Sequence, residues 1–403
     1  MHWRVRSGGR VRADFRLRHP AHVDPQKKVA LIGPRHPTKC LTQNPAACPT
    51  VINAWSTIRN VRRQSDGAHT MTIAASPIDP IAAILDAFKS HDVVALCDGG
   101  HGCEQAYAFR VSLIRDPRFA YIVNDIVVES GNSLYQEMMD RFVAGDDVPE
   151  NQLRQAWQNT TQPHDVWDRP VFEGLFREVR DVNASLPKDR QIRVLLGDPP
   201  IDWSKINSAD DLDKAWNAMG DRNTCAVEII QREVLARQRR ALVVYGGMHL
   251  LRKNLYWQLK FPEKAEQRFN PLPNTIVSLL ESQGVKVYSV WTPVFGDPAT
   301  LQSDVSSWLT PSLALIFGTP LGEASFRSYY PHAMFTRHDD VMVEIYVDPV
   351  RSPVMQEQFD AILYLGPPSE LTWSELSPAL SSDPAYIKMR SDRLAWARIG
   401  DGR

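Results

Sequence analysis

From residue 78 onward, short uninterrupted apolar runs alternate with stretches whose apolar residues recur every three or four positions. Few folds accept such a chain. Asp79-Pro80 pairs a helix N-cap with proline at the first helical position, and Ile81, Ile84, Leu85 and Phe88 then share one helical face. Val93-Val94-Ala95-Leu96 lacks polar alternation, as in a strand buried on both faces. The next helix carries Ala106, Phe109 and Leu113 on one face and stops near Asp116-Pro117. The pattern predicts further strands over 122–128, 193–196, 241–245 and 285–290. Helices are expected near 133–144 (burying Leu134, Met138 and Phe142), 150–158, 170–185, 221–238 and 272–283. Strands alternating with helices define an α/β protein with a mostly parallel central sheet covered on both faces. Past residue 300, strands are expected at 313–317, 341–347 and 360–365, and Asp383-Pro384 opens a last helix. The organisation expected is one α/β domain over 78–295 with a C-terminal α+β extension, 296–403, packed on it.

Residues 1–70 differ from this. They show neither period, and they carry six prolines and 10 Arg and 3 Lys against 3 Asp and no Glu, a net of +10 that leaves −11 for the remainder. They are expected to be a disordered leader, or sequence upstream of a true start at Met71, with few contacts to the body. No apolar core of a secretory signal peptide is present, which makes a cytoplasmic location the default. No apolar run approaches the roughly 18 residues of a membrane span. The acidic body over 71–403 offers no phosphate-binding footprint, so no nucleic-acid partner is expected there. The 43% apolar and 23% charged composition excludes a wholly disordered, collagenous or coiled-coil chain. None of the five cysteines forms a CxxC pair, which argues against a disulfide framework or a structural zinc site.

Polar residues gather where the predicted strands end. Parallel sheets bind ligands at the carboxyl ends of their strands. Four such ends here carry Asp98 with His101, Glu129, Asp198 and His249, each with glycine close by. Each has a structural alternative: a turn or helix cap for Asp98, His101 and Glu129, a turn before two prolines for Asp198, a backbone-bonded imidazole for His249. Together, two imidazoles and up to three carboxylates suit metal-assisted hydrolysis, with Asp98, His101, Glu129 and His249 holding a divalent cation. They suit equally a metal-free histidine base oriented by a carboxylate. Arg110 is a candidate clamp for an anionic substrate and Asp198 a second substrate contact. Cys103 reads as a buried thiol rather than a nucleophile. Trp157, Trp167 and Trp203 read as core. No GxGxxG, P-loop or GxSxG motif occurs.

The stretch Ala95-Leu96-Cys97-Asp98-Gly99-Gly100-His101-Gly102 resembles the first motif of the erythromycin esterase-like and ChaN-like proteins, a group related to the TraB/Tiki superfamily. There the first strand runs into Gly-Glu, followed shortly by His-Gly. Gly246-Gly247-Met248-His249 is similar to the group's later GxxH, and Glu129 to the acidic residue ending its second strand. The resemblance covers roughly 78–295. It implies a hydrolase of an ester or amide in a small-molecule or peptide substrate. His101 or His249 would activate water, and Asp98 and Glu129 would orient a histidine or help hold the metal. The alternatives it implies are a haem-binding protein with an exposed His or Tyr as axial ligand, and a relative that binds a ligand without turnover. Cys97 and Asp98 depart from the pattern, standing where it has Gly and Glu. A carboxylate one methylene shorter is expected to fall about 1 Å short of its target, so Asp98→Glu is expected to raise activity.

Overall fold

A computed structural model describes residues 73–260, 267–269, 275–331, 334–338 and 341–397, together with two short strands, 4–6 and 10–12, that pair antiparallel. Apart from those strands, the expectation for residues 1–70 lies outside the described residues.

Seven strands form the central sheet: β1 (Val93–Cys97), β2 (Asp125–Asn132), β3 (Arg193–Asp198), β4 (Ala241–Tyr245), β5 (Val287–Trp291), β6 (Ser312–Leu315) and β7 (Ala361–Tyr364). Their order is β6-β7-β5-β1-β4-β2-β3. Only the β6–β7 pair is antiparallel. The protein is thus α/β, as the alternation predicts. Every residue of β1 and β4 is buried, which accounts for their lack of polar alternation. Val93, Ala95 and Cys97 face one apolar layer, Val94 and Leu96 the other. That alternation follows from the two-residue period of a strand.

The helices include α1 (Pro80–Ala87), α2 (Glu104–Arg115), α3 (Pro170–Ala184), α4 (Arg222–Ile229) and α5 (Pro384–Trp396). The Asp79 carboxylate caps α1, accepting from the Ala82 N–H at 2.6 Å. Asp221 caps α4 through Thr224 N at 3.0 Å, and α4 runs on into one π-helical turn, Ile230–Val234.

The structure refines the expected elements. β6 and β7 come from beyond residue 295 and join the same sheet next to β5. β2 begins at Asp125 and runs through Glu129 to Asn132, after a helical turn at Phe119–Ile122. Its register against β3 shifts between Val128 and Asn132. Leu134 is 47% exposed, whereas Met139, Phe142 and Val143 are buried. A 3-10 turn at Ser133–Tyr135 rotates the phase of the helix after it. The strand predicted at 341–347 lies in a second, four-stranded antiparallel sheet with Trp257–Lys260, Gln267–Phe269 and Met334–His338. Among the described residues no helix is long and apolar enough to cross a membrane.

Candidate functional site

β1, β4 and β2 are neighbours in register: Cys97 lies beside Tyr245, and Val128 beside Val244. The residues just past β1 and β4 therefore emerge beside Glu129, which lies within β2 one residue beyond Val128. Asp98, His101, Glu129 and His249 meet there, although 151 residues separate the first from the last. Asp98, His101 and His249 line a cleft together with Trp291, Phe295 and Tyr330.

The turn after β1 is built to return His101 onto Asp98. Gly99 and Gly100 take φ of +79° and +82°, which glycine adopts without strain. His101 itself sits at φ +31°, which an L-residue keeps only when its surroundings enforce it. Asp98 Oδ1 accepts from Gly100 N at 3.0 Å, and Oδ2 accepts from His101 Nδ1 at 2.5 Å. An ionised carboxylate cannot donate, so the proton of a neutral ring is at Nδ1 and the Nε2 lone pair is left for the cleft. The missing methylene of Asp98 therefore leaves no gap, because the turn closes it.

Glu129 Oε2 accepts from Gly246 N at 2.7 Å, while Oε1 lies 3.3 Å from both Arg222 Nη2 and His249 Nε2. His249 Nδ1 lies 2.6 Å from Asn223 Oδ1. The site is thus two His–carboxylate pairs, Asp98–His101 and Glu129–His249, back to back beneath Gly246. A Cβ on Gly246 would stand 2.9 Å from His101 Cε1 and 3.2 Å from Glu129 Oε2. Gly246→Ala is therefore expected to push the two pairs apart and to lower the melting temperature, read by thermal unfolding against wild type.

Burial alone would lift the Asp98 carboxyl, but the His101 imidazolium and its hydrogen bond outweigh that and hold it below its ordinary value. Burial opposes charge on His101 too, yet the Asp98 carboxylate wins and raises it. Glu129 is held well below the ordinary glutamate value: against burial stand His249, His101 and Arg222. Burial pushes the Cys97 thiol up to about 12, with the Asp98 charge adding to it. Cys103 is fully buried, and its thiol is likewise raised by burial. Neither thiol is an activated nucleophile.

The other candidates are placed differently. Arg110 is buried outside the cleft and donates from Nη1 to the Asp98 carbonyl at 2.8 Å. Asp198 is buried, accepting from Thr161 N, Thr161 Oγ1 and Arg222 Nε at 2.5, 2.7 and 2.9 Å. It anchors Arg222, and its carboxyl is raised because burial outweighs Arg222 and Thr161. The four donor residues do not fit a metal: both carboxylates and His249 are turned onto hydrogen-bond and ion-pair partners, which leaves His101 Nε2 alone facing the cleft. Among the described residues no three His, Cys, Asp or Glu side chains are grouped to hold an ion. Nor does this cleft offer an exposed axial ligand for haem, since His101 and Tyr330 are buried and His249 has both ring nitrogens engaged.

Sequence reasoning missed Arg222, Asn223 and the role of Trp167. The first two sit in the opening turn of α4, just past the Asp221 cap. In an α/β protein that turn can face the strand ends, and this is the signal that was available. Trp167 meets the His101 ring edge-on, with centroids 4.6 Å apart.

No protein family profile matches the chain, and no curated protein matches it. Several solved structures are distantly similar in fold. A Bacillus cereus protein shares 12% identity over 75% of this chain and 97% of its own, with a TM-score of 0.44. An erythromycin esterase mutant, EreC in its open conformation, shares 12% over 73% and 95%, also at 0.44. Haem-bound ChaN of Campylobacter jejuni shares 13% over 53% and 86%, at 0.32. The relationship is one of fold only, and distant.

Proposed function

We propose that this chain is a hydrolase of an ester or amide bond in which His101 is the general base. The observation that carries the reading is the buried Asp98–His101 pair, joined at 2.5 Å at the wall of a cleft with Nε2 left for a water. Water gives its proton to Nε2 as its oxygen attacks the carbonyl carbon, and the imidazolium returns that proton to the leaving oxygen or nitrogen. Asp98 holds the ring in the tautomer this requires. His101 rather than His249 is the base, because both ring nitrogens of His249 already face Asn223 and Glu129. Glu129 and His249 form the second, charge-setting pair.

The test is turnover of a panel of chromogenic aryl esters and anilides. His101→Ala is expected to abolish it, His249→Ala to lower it strongly, and the double variant to cost little more than His101→Ala, since residues acting as one unit are non-additive. Activity is expected to survive a chelator, because the donor atoms pair internally. Wild-type turnover by His101→Ala would overturn the reading.

A further inference from the structure

The left-handed backbone of His101 needs an external constraint, and the C-terminal segment supplies one from two sides. On the first side, residues 372–374 clip the turn: Ser374 N donates to the Gly102 carbonyl at 2.8 Å and Glu104 N to the Thr372 carbonyl at 3.0 Å. The Trp373 ring lies so close over Gly100 that a Cβ there would stand 3.1 Å from it. On the second side, α5 grips the residue next to Trp167. Asp168 is buried and accepts from Arg390 Nε at 3.0 Å, from Arg390 Nη2 at 2.5 Å and from the Tyr386 hydroxyl. Arg390 is itself buried, and Arg393 donates to the Gln158 carbonyl at 2.8 Å while covering the Trp203 ring. Trp167, fixed through Asp168 and packed edge-on against Phe172, presses on the His101 ring.

We infer that Trp167, held by the Asp168–Arg390–Tyr386 clamp of the C-terminal helix, is a positioning residue that keeps the His101 ring seated on Asp98. Trp167 meets the ring edge-on at 70°, a packing contact separate from the Asp98 hydrogen bond at Nδ1, so the two together restrain the ring more than either alone. The Asp98 hydrogen bond alone would leave the ring free to swing about the Nδ1–Oδ2 line. The inference rests on His101 as the functional imidazole of the proposed hydrolase, yet it predicts a ring position that can be read without any substrate.

The experiment is performed on the full chain with Trp167→Phe, Tyr386→Phe, Arg390→Met and Arg390→Lys. Two readouts are followed: the His101 ring-proton resonances by NMR, assigned by their loss in His101→Ala, and kcat and KM separately on a hydrolysed aryl ester. Trp167→Phe and Arg390→Met are expected to shift or broaden the His101 resonances and to lower kcat about 10- to 100-fold with KM within twofold, as a displaced base would. Tyr386→Phe is expected to do the same more weakly, and Arg390→Lys to recover part of the loss. If Arg390→Met fails to fold, Trp167→Phe and Tyr386→Phe decide, since Tyr386→Phe keeps the packing and Trp167→Phe only exchanges one apolar ring for a smaller one. Unmoved His101 resonances in these folded variants overturn the inference whether or not the chain hydrolyses esters. Moved resonances in a chain that turns over no ester uphold the positioning and reject the hydrolase reading.

Discussion

Asp98→Asn is expected to lower the hydrolytic rate about 10³- to 10⁴-fold, the scale seen when an orienting carboxylate is replaced by an amide that favours the wrong tautomer. The amide can present its NH₂ to Nδ1, which would move the ring proton to Nε2 and remove the lone pair from the cleft. The pH dependence supplies a second readout. His101 must be neutral to act as base, and its pKa lies above the ordinary 6.5, so wild-type activity is expected to rise with pH along a limb placed above 6.5. Without the Asp98 charge and its hydrogen bond, burial is opposed chiefly by the Glu129 carboxylate, and the limb of the residual activity is expected to move to lower pH. Stability moves with it. The depressed Asp98 carboxyl stabilises the fold above its unfolded value, near 4, and loses that effect as pH falls through its folded value. The raised His101 stabilises below its unfolded value, near 6.5, and loses that effect as pH rises through its folded value. The stability gap between wild type and Asp98→Asn is therefore widest between about pH 4 and 6.5. A pH–rate limb in the variant identical to that of wild type would show that the pair does not set the base. Asp98→Glu is now expected to lower activity: the carboxylate already meets the ring at 2.5 Å, and a longer one would drive His101 out of place.

Arg222→Met is expected to cost about 3–5 kcal/mol of stability, the scale for removing one partner from a buried ion pair. Arg222 bridges two carboxylates, Asp198 at 2.9 Å and Glu129 at 3.3 Å, and both are almost wholly buried. Without the guanidinium, burial would drive both carboxyls up. The loss should shrink as pH falls and the carboxylates protonate. Urea unfolding at pH 7 and at pH 4 reads this directly. A deficit below about 1 kcal/mol at pH 7, or one that does not shrink in acid, would show that the two carboxylates are held by Thr161, Gly246 and His249 without Arg222.

The local order of the chain was legible in its residues. The Asp79-Pro80 cap, the unbroken apolar run before Asp98 and the glycines around His101 determined a helix, a doubly buried strand and a sharp turn, because each depends on neighbours a few residues away. The same local logic marked Asp98, Glu129 and His249 as strand-end residues. Only the tertiary structure decided which of them share a site. The register of β1, β4 and β2 brings Gly246 against both His101 and Glu129, and no local signal encodes a pairing between strands so far apart. It also decided that Asp198 and Arg110 turn inward, since burial and partnership depend on what packs against a residue and not on its type. The joining of β6 and β7 to the central sheet, the place of Asn223 and the clamp of α5 on Asp168 were hidden for the same reason: each is made by segments brought together across 26 to more than 200 residues, where packing geometry decides and sequence spacing carries no record of it.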